Sequence, residues 1–401
     1  MDSSTAPKLL IVPGNCQSLG GTVTALSGLI KGWKDDADIA QLGVLVQADS
    51  LLAAYLTDAG HHDCLIAIAA QSKPDFLTQS LRWVNQQPPS WPLLLDNTVE
   101  KSLMVPLILA APQLRRSGRC IYHFFHDSAR SYNILGYYLR KFAFACLAPA
   151  ALCNSRYTAA QVKMLTSNIA GIQRPAFDVK RFEATNVTQS PPVPLQPILD
   201  SGARIILNPS RITEPGIMND KNLLTLIPML AHLIAEGHHY HLVLMGEDDT
   251  PGEIYVQQLR VQAEQAGVSQ YLTILPPSFE VERYYWNADI VVTLAPREPF
   301  GLIVVEAISA GIPVVGSSSG GIGETLGQFA PTWRVDPDDP VTAAQTVLHV
   351  LHDPKTPAFL RQGQQWARQN CDPVHQARHI MQMTRIDAVA PLHEVPAHLG
   401  L

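Results

Sequence analysis

The sequence is poor in cysteine, in charge and in long apolar runs, and each shortage excludes a class of protein. Six cysteines occur in 401 residues, and no two of them have the close spacing of a zinc site. Six is also too few for a scaffold held together by disulfides. We therefore expect reduced, buried thiols and no metal site.

Long apolar segments are missing as well. The run at residues 142–152 has eleven residues and contains Pro149, whereas a membrane-spanning helix needs about 20 apolar residues. The first residues, MDSSTAPK, lack the cationic region of a signal peptide. These features predict a cytoplasmic protein.

Charged residues make up 16% of the chain, and the formal net charge is −6. A general nucleic-acid-binding protein would carry a basic excess, so no nucleic-acid partner is expected. One set of basic residues in the first half of the chain lies among aromatic residues: Arg115, Arg116, Arg119, Arg130, Arg140 and Lys141. Peripheral contact with a membrane and a solvated basic face are both consistent with this set.

Strand and helix patterns alternate through the first half of the chain. Apolar strand patterns lie at residues 8–12, 42–47 and 120–127, with helical patterns between them. The helical pattern at residues 102–118 contains Pro106, which we expect to interrupt it. This alternation predicts an α/β fold with a parallel sheet, whose ligand sites lie at the carboxyl ends of the strands.

Two candidate site features follow predicted strands. Gly20 and Gly21 lie in a strand–loop–helix arrangement that suits phosphate binding, although their spacing is not G-x-G-x-x-G. His126 ends a later strand pattern, and Asp127 is the candidate to orient its ring.

Residues 185–202 are rich in Pro, Ser and Gln and have no periodicity, which predicts a linker. We therefore divide the chain into a first domain at residues 1–185, a linker at 186–202, a second domain at 203–375 and a C-terminal segment at 376–401.

The most informative stretch is PREPFGLIVVEAISAGIPVVGSSSGGIGE, at residues 296–324. It predicts a loop, a helix from about Gly301, a tight turn, a short strand and a final small-residue loop. A helix N-terminus has unpaired N–H groups and a positive dipole end, so it attracts anions. Glu306 lies one turn past Leu302 and would point back at this helix end. Glu298 and Glu306 suit either sugar and ribose hydroxyls or simple helix capping.

The string EPFGLIVVEA, followed by GIPVV and GGIGE, resembles the donor-site signature of retaining GT-B glycosyltransferases, and most of all glycosyltransferase family four. The resemblance implies two Rossmann-like domains whose parallel sheets face each other across a cleft. It also implies that the first domain binds the acceptor, that the second binds a nucleotide-sugar donor, and that the last helix crosses back to the first domain.

The resemblance implies roles for particular residues. Arg211 and Lys221 match an arginine and a lysine that hold the donor diphosphate, although the interval between them is longer than usual. The implied catalytic set is His126, Glu298, Arg211 and Lys221. The implied donor-binding set is Gly20, Gly21, Pro277, Phe300, Gly301, Leu302, Glu306, Gly320 and Gly321.

The implied reaction is transfer of a sugar from a nucleotide diphospho-sugar with retention at the anomeric carbon. Two cations beside a diphosphate neutralise the leaving group, so neither a metal nor another cofactor is expected. A uridine donor is favoured because such donors are common in that family. The pattern names neither the acceptor (a glycan, a lipid or a small molecule) nor the oligomeric state. Two alternatives remain open, a nucleotide-sugar epimerase of GT-B fold and a non-catalytic nucleotide-sugar-binding subunit.

Overall fold

The computed structural model describes residues 8–17, 20–129, 133–183, 190–213, 221–248 and 250–386. These residues form two parallel β-sheets flanked by helices. The predicted α/β fold with two Rossmann-like sheets is confirmed, because strands and helices alternate along the chain and every strand pair is parallel.

The first sheet has seven strands: β1 (Leu9–Pro13), β2 (Leu42–Gln47), β3 (Leu65–Ile68), β4 (Leu93–Asp96), β5 (Ile121–Phe125), β6 (Ala150–Cys153) and β7 (Ile169–Ile172). Six helices follow or connect them: α1 (Gly21–Asp36), α2 (Leu51–Asp58), α3 (Lys73–Asn85), α4 (Met104–Arg116), α5 (Ile134–Leu147) and α6 (Arg156–Val162). The spatial order is β3-β2-β1-β4-β5-β6-β7. The order reverses between β1 and β4, where α/β sheets form a ligand crevice.

Two short helices, α7 (Val179–Phe182) and α8 (Gln196–Asp200), precede the second sheet. Its strands are β8 (Arg204–Pro209), β9 (Tyr240–Met245), β10 (Leu272–Leu275), β11 (Ile290–Thr293), β12 (Val314–Ser317) and β13 (Arg334–Val335). Its helices are α9 (Leu223–Ala235), α10 (Ile254–Gln265), α11 (Val281–Tyr285), α12 (Leu302–Ser309), α13 (Gly320–Leu326), α14 (Pro340–His352) and α15 (Thr356–Asn370). The order β10-β9-β8-β11-β12-β13 reverses between β8 and β11.

The last described helix, α16 (Pro373–Thr384), packs against α1 and not against the second sheet. The approach is so close that a Cβ on Gly32 would lie 2.0 Å from the carbonyl oxygen of Pro373. The Tyr122 hydroxyl donates to the carbonyl oxygen of Met383 at 2.6 Å. Burial of Ile380 in the core of the first sheet completes the attachment of α16 to that sheet.

The connection between the two sheets is more ordered than its composition indicates. Residues 184–189 lie outside the described part of the chain, but Val193–Leu195 form a 3₁₀ turn that leads directly into α8. Leu195 and Ile198 are buried in the core of the second sheet, which explains why these short helices form without a periodic pattern. Phe182 of α7 belongs to that core too, although it lies before residue 185.

Two local expectations were wrong, and two strands were missed. Pro106 does not interrupt its helix, because α4 begins at Met104 and a proline in the first turn removes no intrahelical hydrogen bond. The small-residue segment after β12 is the helix α13 and not a loop. The edge strands β7 and β13 were not predicted; β7 (IAGI) contains a glycine, which weakens a strand pattern, and β13 has only two residues.

The six cysteines are free, as expected, but not all are buried. Burial raises the pKa of the Cys16 and Cys64 thiols to about 11 and of Cys153 and Cys371 to about 12. Cys120, in contrast, is exposed. None of the helices in the described ranges combines the length and apolarity needed to cross a membrane.

Candidate active site

The loop that joins β11 to α12 turns sharply at Gly301. This residue has a φ of +88°, and a Cβ there would lie 2.7 Å from Cγ1 of Ile322, so both the backbone conformation and the available space require glycine. Phe300 is buried in the core of the second sheet and anchors the loop. Because α12 begins at Leu302, its first N–H groups are left without intrahelical acceptors at this end.

The first residues of α13 pack against the same loop. The Gly321 N–H donates to the carbonyl oxygen of Glu298 at 2.6 Å. A Cβ on Gly321 would lie 2.3 Å from the carbonyl oxygen of Pro299, and Gly320 has a φ of +67°. The predicted glycines therefore permit α13 to lie directly against the loop that carries Glu298.

The N-terminal end of α12 meets the first domain at the start of α1. A Cβ on Gly21 would lie 3.2 Å from Cδ1 of Leu302. Gly20 immediately precedes α1, while residues 18 and 19 of the same loop lie outside the described ranges. The glycine pair and the EPFG loop thus face each other across the cleft between the two sheets.

Lys221 and Glu298 form an ion pair at this end of the cleft. The Lys221 Nζ lies 2.5 Å from Oε2 of Glu298, and the side chains are 18% and 22% exposed. Lys221 comes just before α9, which begins at Leu223. The long interval between Arg211 and Lys221 therefore does not keep Lys221 away from the EPFG loop; residues 214–220 of that interval lie outside the described chain.

Asp127 faces the same ion pair from the first domain. Its Oδ1 accepts a hydrogen bond from the Ser128 N–H at 2.6 Å. Burial raises the pKa of the Asp127 carboxyl, and the nearby Glu298 carboxylate raises it further, while the Arg211 guanidinium lowers it. Arg211, which follows β8, is exposed. A partly buried carboxyl of the first domain therefore lies within electrostatic range of Glu298 and Arg211 of the second domain.

His126 is oriented by a different acid from the one expected. Its Nε2 lies 2.7 Å from Oδ1 of Asp96, which ends β4, and both side chains are less than a tenth exposed, at 7% and 8%. The ring packs on Phe124 with 4.0 Å between centroids. The expectation that Asp127 orients His126 was wrong, because Asp127 instead accepts hydrogen bonds from the adjacent Ser128.

Glu306 is hydrogen-bonded to a residue of α11. Its Oε2 accepts a hydrogen bond from the hydroxyl of Tyr285 at 2.5 Å, and Tyr285 is fully buried. Burial raises the pKa of Glu306, while the Tyr285 hydrogen bond and the charge of Arg181 lower it. The carboxylate is therefore fixed in direction by a neighbour that the sequence pattern does not reveal.

Pro277 lies in the exposed loop after β10, on the Arg181 side of the site. Arg181 donates to the carbonyl oxygen of Phe279 at 2.5 Å and pairs with Glu282 at 2.7 Å. Because the same guanidinium acts on Glu306, the Pro277 loop and Glu306 lie on neighbouring parts of the second domain.

The two domains are joined beside the EPFG loop by what we call the interdomain latch, formed by Ser155, Thr158, Pro299 and Glu324. The Ser155 hydroxyl donates to the carbonyl oxygen of Pro299 at 2.5 Å, and the Thr158 hydroxyl reaches the same oxygen at 3.3 Å. The Glu324 carboxylate accepts from the first two N–H groups of α6, at 3.1 and 3.0 Å. An acidic side chain from one domain thus caps a helix of the other.

Sequence reasoning missed the cleft-facing role of Asp127, the contact of Tyr285 with Glu306, and the latch. Ser155 also caps its own helix, because its hydroxyl accepts from the Thr158 N–H at 3.0 Å. The only sequence signal for the contact between Glu324 and α6 was the GGIGE string that contains Glu324. Within the described ranges, no group of three or more His, Cys, Asp or Glu side chains could hold a metal ion.

Comparison with solved structures supports the fold class. HepE of Anabaena, solved in complex with UDP and glucose, superposes with a TM-score of 0.76 over 94% of this chain and 99% of that chain, at 19% sequence identity. The two parallel sheets and the cleft between them are those of GT-B proteins.

Residues 200–365, which lie mostly in the second domain, match the model of the family described as glycosyl transferases group 1. Two curated relatives are similar over part of their length. They are the uncharacterized glycosyltransferase MJ1607 of Methanocaldococcus jannaschii, 34% identical over 30% of each chain, and the D-inositol 3-phosphate glycosyltransferase of Salinispora arenicola, 33% identical over 25% of this chain and 23% of the relative. The match thus spans less than a third of either relative.

Proposed function

We propose that this protein is a retaining glycosyltransferase that moves a sugar from a UDP-sugar to a hydroxyl group of an acceptor without a metal ion. The observation that carries this proposal is the Lys221–Glu298 ion pair at the start of α12, with Asp127 facing it from the other domain. Cations, carboxylates and a free helix end in one cleft match the parts of a nucleotide sugar, which are a diphosphate and hydroxyl groups.

In this proposal Arg211 and Lys221 bind the donor diphosphate. Lys221, which pairs with Glu298 in the free protein, would also donate a hydrogen bond to a phosphate oxygen. This is feasible because an ammonium has three donors and the pair is partly exposed. The N–H groups at Phe300, Gly301 and Leu302 would bind the phosphate or the sugar. As the bond to the sugar breaks, negative charge grows on the departing phosphate, and the two cations stabilise it.

The remaining donor contacts divide between the two domains. Glu306 would accept from the ribose hydroxyls with its direction fixed by Tyr285, and backbone groups near Pro277 would hold the base. Glu298 would accept from sugar hydroxyls on one side and Asp127 from sugar or acceptor hydroxyls on the other. We assign His126 a positioning role, because its ring is buried and bonded to Asp96.

Retention follows in this proposal from attack on the same face that the diphosphate leaves. The departing phosphate oxygen takes the proton of the acceptor hydroxyl, so no carboxylate nucleophile is required. The structure of HepE, which contains UDP and glucose, supports a uridine donor. We expect a cytoplasmic protein, with the membrane contact that is argued below.

The first experiment is a thermal-shift panel of UDP-, GDP-, ADP- and TDP-sugars, followed by an acceptor screen with the sugar that stabilises the protein most. We expect stabilisation by a UDP-sugar and slow release of UDP that continues in excess EDTA. A complete loss of turnover in EDTA that is restored by a divalent cation would contradict the metal-free reaction.

A donor-only reaction separates this function from the two alternatives. An epimerase would convert the nucleotide sugar to its epimer without an acceptor, and a binding subunit would leave it unchanged even with acceptors. The transferase predicts UDP and a glycosylated acceptor, with no epimerised donor.

A further inference from the structure

We propose that the outer face of α4 and α5 is a docking surface for an anionic phospholipid bilayer. We call it the α4–α5 face, and it consists of six apolar side chains, Val105, Leu109, Ile134, Leu135, Tyr138 and Phe142, with three basic ones, Arg115, Arg116 and Lys141. This surface is separate from the donor contacts, and its test does not depend on glycosyl transfer.

The apolar side chains of this face are exposed to a degree that the fold does not require. Leu109 and Leu135 are each 75% exposed and Ile134 is 69% exposed. On α5 the exposed positions recur at 134, 135, 138, 141, 142 and 145, which is the stripe of a helix that faces away from its sheet. A soluble helix normally carries charged residues on that stripe, but here Lys141 is its one charged residue.

The two helices join into one surface. They pack against each other, and both follow neighbouring parallel strands, β4 and β5, so they run in the same direction along the sheet. Val105 lies in the first turn of α4, and Ile134 and Leu135 lie in the first turn of α5. Contiguous apolar patches of this kind mark interaction sites and not ordinary solvent-facing surface.

The charge of the α4–α5 face selects its partner. Neither α4 nor α5 contains an Asp or Glu, in a chain whose net charge is −6. Arg115 and Arg116 form the last turn of α4, and Lys141 lies on α5 with its ammonium 5.8 Å from the ring centroid of Tyr137. Apolar side chains that are flanked by cations, without acids, complement an anionic bilayer. Its hydrocarbon would take up the apolar side chains, and its negative headgroups would pair with the cations.

The structure also reduces the basic set that the sequence indicated. The Arg119 guanidinium is buried and donates to the carbonyl oxygens of Val84 and Gln87, at 2.9 and 3.0 Å. Arg140 donates to the carbonyl oxygen of Val99 at 2.8 Å, and Arg130 lies outside the described residues. The Arg115 guanidinium stays exposed, although its Nη1 donates to the carbonyl oxygen of Cys146 at 3.4 Å. Arg116 and Lys141, with the remaining donors of Arg115, are left for headgroups, so the apolar side chains must supply much of the binding.

The location of this face has a consequence for the cleft. Both helices begin at the carboxyl-terminal edge of the first sheet, which is the edge that also carries Asp127. A bilayer docked on the first turns of α4 and α5 would lie beside the half of the cleft that faces the acceptor. An acceptor carried by a lipid could then enter the cleft while its chain stays in the membrane.

The test is co-sedimentation of the whole protein with vesicles, without donor or acceptor. We expect binding to vesicles of phosphatidylglycerol and phosphatidylcholine, at least about tenfold weaker binding to pure phosphatidylcholine, and weaker binding as salt rises from about 0.05 to 0.5 M. The combined variant Leu109→Ser, Leu135→Ser and Phe142→Ser should bind at least about tenfold more weakly. The variant Arg116→Gln with Lys141→Gln should lose about fivefold per charge at low salt.

The chain offers matched controls on α10 of the second domain. Ile254 and Val261 are each 51% exposed there, and Arg260 is exposed between them. The variants Ile254→Ser with Val261→Ser, and Arg260→Gln, should bind vesicles within about twofold of wild type. All variants should keep the wild-type stabilisation by UDP, which separates loss of docking from loss of fold and from failure of the proposed transfer reaction.

Two outcomes would overturn the proposal. One is wild-type protein that stays in solution with anionic vesicles at low salt, or a triple α4–α5 variant that binds them as well as wild type does. The other is a dimer in analytical ultracentrifugation that the same triple substitution dissociates, because a second copy of the chain would then cover this face.

Discussion

Replacing either member of the Lys221–Glu298 ion pair should separate its role in the reaction from its role in stability. The perturbations are Lys221→Met and Glu298→Gln, alone and together, because each removes a charge while keeping much of the side-chain volume. In the free protein the two groups are 2.5 Å apart and about a fifth exposed, at 18% and 22%. A pair at this depth should contribute about 1 kcal/mol to the free energy of unfolding, between the values for exposed and buried pairs.

The effect on catalysis should be larger than the effect on stability. If Lys221 binds the departing phosphate and Glu298 the sugar, each substitution removes a charge-assisted contact worth about 2–3 kcal/mol in the transition state. We therefore expect kcat/KM to fall by at least about a hundredfold, equivalent to about 2.7 kcal/mol, in each single variant. The double variant should regain stability, since no unpaired charge is left, but it should not regain activity.

The assay measures UDP release with the selected donor and acceptor, alongside chemical denaturation of each variant. A second ion pair supplies the control: Lys31 and Asp178 are also 2.5 Å apart, outside the proposed site. Lys31→Met should cost less than about 1 kcal/mol of stability and leave kcat/KM within about twofold. A folded Lys221→Met or Glu298→Gln protein with near-normal kcat/KM, or a double variant that recovers activity, would refute the reasoning.

Three further predictions concern other parts of the molecule. Glu324→Gln keeps one acceptor for α6 but loses the charge, so the closed arrangement should lose about 1–2 kcal/mol and kcat/KM should fall about five- to thirtyfold. Ser155→Ala should add little to this loss if both residues act through one latch, and fully additive effects would argue against a shared latch. Tyr285→Phe removes the hydrogen bond to Glu306 and should raise the donor KM about fivefold with kcat nearly unchanged, and an unchanged KM would remove Glu306 from the donor site. Burial lowers the pKa of His123 to about 3, against 6.5 in the unfolded chain. The unfolded chain therefore binds this proton first, so the contribution of the neutral His123 to the free energy of unfolding is fully present above pH 6.5 and is lost as the pH falls towards 3. His123→Leu should therefore flatten the dependence of unfolding free energy on pH between about 6 and 4 by about 1 kcal/mol per unit, and an unchanged slope would contradict the assignment.

The sequence was sufficient for the architecture because the signals that specify it are local. Strands such as β1 and β2 are buried over their whole length, so they occur as uninterrupted apolar runs. The turn at Gly301 was predictable as well, because its positive φ and the nearby Ile322 leave no choice of residue. The short helices near Leu195 were not predictable, because packing in the second core stabilises them and not their own periodicity.

The candidate site was predictable as a set of residues but not as a set of contacts. His126 and Glu298 were identified from motifs, but the partner of His126 is Asp96, which is 30 residues away on a neighbouring strand. Likewise, the Glu324 contact with α6 joins two domains through backbone N–H groups, which no side-chain pattern announces. Such partners come together only when the strands pair within a sheet and the two domains pack against each other.

The most direct test of the central claim uses water as the acceptor. A retaining glycosyltransferase should slowly hydrolyse its own donor, and proton NMR can identify the anomer that is released before mutarotation. With an α-linked UDP-sugar from the panel, wild-type protein should release UDP and the α-anomer first, and Lys221→Met should release neither at a comparable rate. Initial release of the β-anomer, formation of an epimerised UDP-sugar, or equal release by Lys221→Met would contradict a retaining transferase built on this cleft.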